Sequence, residues 1–122
     1  MMTEREYQMN EWMRFVNSKY SSFDTVKEFN DWILNSDILE QLEWIENGSF
    51  GAGACLELQR TYAGLTNRMN KRAQIGRVLL HALYGKPFNK WNKLSKQAQD
   101  KLNAAVDTWL GQDKDFAITS II

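Results

Sequence analysis

An all-α fold follows from three features of the 122-residue chain. Apolar residues recur every three or four positions through nearly the whole sequence, the spacing of a helix that buries one face. Cap-forming residues and glycines stand at the breaks between those runs, where helices start and stop. Strand-like patterning is almost absent, the exception being the end of the chain, Phe116-Ala-Ile-Thr-Ser-Ile-Ile122. A chain this long can bury about two-thirds of its unfolded surface. The expectation is a single domain over 1–122, a compact bundle of five or six short helices with a central apolar helix at about 68–84.

The elements follow in order. Thr3-Glu-Arg-Glu6 is a capping box, and Met9, Trp12, Met13, Val16 and Tyr20 form the stripe of a helix over about 4–20. Asp24 can cap a second helix carrying Val26, Phe29, Trp32 and Ile33. Asn35-Ser36-Asp37 interrupts it, and a third helix with Leu39, Leu42 and Ile45 ends before Gly48. Gly48-Ser-Phe-Gly51-Ala-Gly53-Ala reads as a turn into a helix with Cys55, Leu58, Tyr62 and Leu65, which closes near Gly64. Thr66 or Asn67 can cap the next. Over 68–84, Met69, Ala73, Ile75, Gly76, Leu79, Leu80, Leu83 and Tyr84 share one arc. Gly85, followed by Pro87, suits a left-handed C-terminal cap. Ser95 caps a last helix with Ala98, Leu102, Ala105, Val106 and Trp109 on its stripe and Gly111 just beyond it.

Composition excludes several classes. One cysteine forms no internal disulfide, no apolar run approaches the roughly 20 residues of a membrane span, and the first residues are too polar for a signal peptide. These place the protein in the cytoplasm, away from membranes. His81 and Cys55 are the only soft metal ligands, short of the three or four zinc needs, so no metal or other cofactor is expected. Asp24, Glu28 and Asp31 read as a solvated helix face. Cys55 lies on an apolar stripe and His81 on a polar arc with Asn70, Gln74 and Arg77, a buried thiol and a surface imidazole rather than a catalytic pair. The Gly48–Ala54 turn lacks the lysine and Ser/Thr of a phosphate-binding loop.

The net charge of zero hides a division. Residues 1–50 carry ten acids and four bases, and residues 51–100 carry nine bases and two acids. No carboxylate side chain stands between Glu57 and Asp100. The basic stretch over 60–96 is interleaved with Tyr62, Tyr84, Phe88 and Trp91, a composition suited to nucleic acid. It suits an acidic protein surface equally, or the acidic half of the same fold. Gly64-Leu65-Thr66 resembles the turn of a helix-turn-helix motif, but Arg60 and Asn70 occupy positions where that motif needs a small and a buried aliphatic residue, and we set it aside.

The resulting expectation is a small non-enzymatic binding protein. It acts as a regulator or inhibitor of another macromolecule, through a basic helix face and exposed aromatics. Lys71, Arg72, Arg77, Lys86, Lys90 and Lys93 make the contact with Phe88 and Trp91 beside them. The alternative is direct nucleic-acid binding by the same region, Phe88 and Trp91 stacking on bases. Five tryptophans, of which Trp32, Trp44 and Trp91 do not all fall on the main stripes, also leave room for a homo-oligomer or for a tail packed on its own helices. In style the chain resembles small accessory proteins encoded by phages and plasmids, although no motif carries that likeness.

Overall fold

The computed structural model describes residues 23–64, 68–85 and 87–117. The expected helix over 4–20, Leu65 and the Thr66 or Asn67 cap, the Met69 and Asn70 side chains, Lys86 and the apolar end at 118–122 lie outside the described residues. Within them the chain forms α1 (Val26–Asn35), α2 (Ile38–Glu46), α3 (Ala52–Gly64), α4 (Arg68–Tyr84), a 3₁₀ turn (Trp91–Lys93) and α5 (Lys96–Leu110), and there is no strand. No helix among the described residues is long and apolar enough to cross a membrane.

Local chemistry sets the boundaries. Thr25, not Asp24, caps α1: its backbone is extended and its hydroxyl accepts from Glu28 N at 3.1 Å, while Glu28 reaches back to accept from Asp24 N at 3.2 Å. Asp37 caps α2 by accepting from Glu40 N, and Ser95 caps α5 by accepting from Ala98 N. Gly48, Gly51 and Gly85 take positive φ, so the turn into α3 and the end of α4 both use the conformation that glycine adopts without strain.

One core joins all five helices. α5 packs against α1, α2 and α4, and α3 packs against α2 and α4. From α5 come Ala98, Leu102, Ala105, Val106 and Trp109, all buried, as the stripe predicted. Among the described residues α4 buries more than any other helix, including Ile75, Val78, Leu79, Ala82 and Leu83. Its buried face is turned from the expected arc toward Val78 and Ala82, because α3 lies on that side. Ala73 is left exposed and Gly76 half-buried. Two aromatic clusters close the ends of this core. Phe29 meets Tyr84 at 5.0 Å and Phe88 at 5.2 Å between ring centroids. Tyr62 meets Trp109 at 5.6 Å, with Phe116 against both. The tail thus packs on the helices as far as Phe116, and Trp44 is the exposed large apolar residue among those described.

Candidate partner-binding surface

The segment after α4 positions this surface. Gly85 ends the helix at φ 85°, and the chain then drops two apolar pegs into the core, Phe88 and Leu94, 6% and 4% exposed. Between the pegs the backbone must bulge outward, and the 3₁₀ turn lies in that bulge. Gln99 of α5 holds it there, donating from Nε2 to Trp91 O at 2.9 Å and Leu94 O at 3.3 Å. Ser95 N donates to Asn30 Oδ1 at 2.7 Å, which ties the far end of the segment to α1. Lys90 and Lys93 are exposed as a result, and Trp91 is half-buried.

Two grooves flank the turn. The first, about 420 Å³, lies against α4 and is lined by Arg72, Ala73, Gly76, Arg77, Leu80, Phe88, Trp91 and Asn103. Its α4 residues recur at i, i+1, i+4, i+5 and i+8, one stripe along the helix. The second is a shallow depression of about 560 Å³ on the α1 side, lined by Val26, Lys27, Asn30, Lys90, Lys93, Leu94 and Ser95.

Several basic residues already have local partners. Arg60 holds both carboxylate oxygens of Glu57 at 2.7 Å. Arg72 Nε lies 3.2 Å from Asp107 Oδ1, and Lys96 lies 2.7 Å from Asp100. Among the described residues no ion pair links the basic stretch to the acidic first half, and Arg77, Lys90 and Lys93 form no ion pair. The two exposed pairs, Arg72 with Asp107 and Lys96 with Asp100, contribute little and remain open to competition by other anions.

The structure gathers Arg72, Arg77 and Trp91 around one groove and Lys90 and Lys93 around the next; it does not gather all eight expected residues. Phe88 is the correction: at 6% exposure, with its ring packed on Phe29 and Tyr84, it closes the wall of the first groove rather than projecting to stack on a partner. Lys71 is placed elsewhere, its ammonium 4.4 Å above the Tyr62 ring, since it lies on the Val78 side of α4, toward α3. Lys86 is outside the described residues.

No family model, curated protein or solved structure matches this chain.

His81 lies deeper than a surface histidine. Burial holds its imidazole below the ordinary range, the Arg77 charge acts in the same direction, and a main-chain hydrogen bond at Phe88 with the Glu57 charge opposes them. Cys55 is fully buried, and its thiol donates to Glu46 O at 3.2 Å. Among the described residues no three His, Cys, Asp or Glu side chains converge as metal ligands. What the surface offers chemically is anion binding beside an indole.

Three contributors escaped the sequence reading. Lys27 joins the second groove from the acidic half, which only tertiary packing reveals. Ala73 and Gly76 floor the first groove, and their position between Arg72 and Arg77 at the margin of the apolar arc was an available signal.

Proposed function

We propose that this protein is a non-catalytic binding module, a small regulator or inhibitor that docks onto an acidic surface of another protein through Arg77, Lys90 and Lys93 around Trp91. The observation that carries this reading is the absence of ion pairs at those three residues among the described ones, while Arg60, Arg72 and Lys96 of the same basic stretch are each matched by a carboxylate. A lone buried thiol fits work in the cytoplasm. Direct nucleic-acid binding by the same surface is the second reading, and the burial of Phe88 removes one of its two stacking rings.

Affinity capture followed by mass spectrometry tests it, comparing the natural protein with Lys90→Glu/Lys93→Glu. The expected result is a protein that the natural chain retains and the charge-reversed variant loses while keeping its helical spectrum. Capture unchanged by the reversal overturns the proposal. A mobility shift on duplex or single-stranded DNA at low salt, weakening steeply as salt rises, replaces it with the second reading.

A further inference from the structure

We infer that the groove between α4 and the 3₁₀ turn seats an acidic peptide segment of the partner, with one large apolar side chain on Gly76 and Trp91 and flanking carboxylates on Arg72 and Arg77. The inference rests on the binding role proposed above and names the part of that surface that would give it selectivity.

The floor is apolar and open. A methyl group built on Gly76 meets no atom within 4 Å, and the half-open space of about 420 Å³ falls within the range of sites that hold a bulky group. The rim is cationic. Arg77 has no ion pair among the described residues, and Arg72 commits only Nε to Asp107, an exposed carboxylate outside the groove. Among the described residues no carboxylate lines the groove itself, and the nearby Asp107 is already held by Arg72 Nε. The two arginines are five positions apart, about 7.5 Å along the helix axis, and each guanidinium presents a fork of donors that fits a carboxylate. An apolar floor adds nothing to the binding of a sugar-phosphate backbone, whereas it desolvates an anchor side chain, the usual centre of binding energy in a peptide interface. Lys90 and Lys93, on the other side of the turn, extend the cationic rim for further acidic residues.

The probe is the peptide acetyl-Glu-Glu-Phe-Glu-Glu-amide, titrated into isotopically labelled protein and followed by amide and indole NMR shifts. Shifts are expected at Ala73, Gly76, Leu80 and the Trp91 indole. Replacing the central phenylalanine by alanine should weaken binding about fivefold or more, and a lysine-flanked peptide should not bind. Gly76→Phe, which fills the groove from within, should weaken the acidic peptide about tenfold or more, and Gly76→Leu gives the same reading if the larger side chain disturbs folding. Equal affinity for the phenylalanine and alanine peptides overturns the inference without use of any variant, as does a groove-filled protein that binds normally. If charge reversal at Lys90 and Lys93 still abolishes capture in either case, the wider binding role stands and this seat alone is wrong. Self-association of the free protein that Gly76→Phe removes assigns the groove to a second copy instead, and also overturns it.

Discussion

Glu46 shows how much one buried polar side chain can organise. It is 9% exposed, and an isolated carboxylate at such a site would be costly. Its Oε1 accepts from Trp109 Nε1 and its Oε2 from Asp115 N, both at 2.6 Å, while its carbonyl accepts from Cys55 Sγ and Ala117 N. The end of α2 is thereby joined to α3, α5 and the tail. Lys114 lies over the Trp109 ring at 4.3 Å and donates to Trp109 O and Gln112 O. Burial lowers the pKa of that ammonium, and the Glu46 charge works against the shift. Glu46→Ala leaves a buried indole N–H and an amide unpaired, and should cost about 2–4 kcal/mol in urea unfolding. A loss under about 0.5 kcal/mol would show the network to be dispensable. His81, the only histidine, gives a second test at this scale. Its native pKa is held below that of the unfolded chain, so the unfolded state takes up the proton first as pH falls. The stability this group contributes is full above about pH 6.5, and declines below it until the native imidazole titrates too. In thermal melts across that window, the stability of wild type relative to His81→Gln should fall as pH drops; parallel curves would remove the histidine from the account.

At the scale of the helix, α4 contains two glycines with opposite roles. Gly85 ends it at φ 85°, where a side chain is strained, so Gly85→Ala should destabilise by about 1–2 kcal/mol. Gly76 lies inside the helix, without positive φ and with open space where a Cβ would go. Gly76→Ala should therefore stabilise by about 0.5–1 kcal/mol. Thermal or urea unfolding checks both, and equal effects of the same sign would contradict the assignment. The helix ends were mostly legible in the sequence because capping is local: Ser95, Asp37 and Gly85 act within three residues of their own positions. Thr25 was missed in favour of Asp24 because neighbouring cap formers compete, and the one whose side chain meets the amide three residues on, Thr25 with Glu28 N, takes the position. The turn of α4's buried face was not legible, since periodicity gives an arc and only the neighbouring helix selects its centre.

Among the described residues, charge separation along the sequence did not become ion pairing between the two halves of the chain. The ion pairs among the described residues are local, apart from Arg72 with Asp107, which lies within the second half. Exposed pairs of this kind hold little of the folding energy, which rests on the apolar core. The Lys90→Glu/Lys93→Glu protein should therefore melt within about 2 °C of wild type, since the two residues are exposed and form no ion pair among the described ones. Calorimetry checks this, and a large drop would mean that the two lysines serve the fold rather than a partner. The basic candidate residues were legible as composition, but their grouping was not. Arg72 and Arg77 meet Trp91 because Phe88 and Leu94 pin the intervening segment, whereas Lys71 is carried to Tyr62.

The amino-acid sequence by itself determined the helical class, most helix limits and the concentration of positive charge, because each depends on residues a few positions apart. Tertiary structure alone decided that Phe88 is core and Trp91 half-exposed, that Glu46 links four segments, and that Lys27 crosses from the acidic half into a basic groove. Those outcomes depend on which helix faces meet across dozens of residues, where the free energy of burial selects among arrangements that local periodicity leaves equivalent.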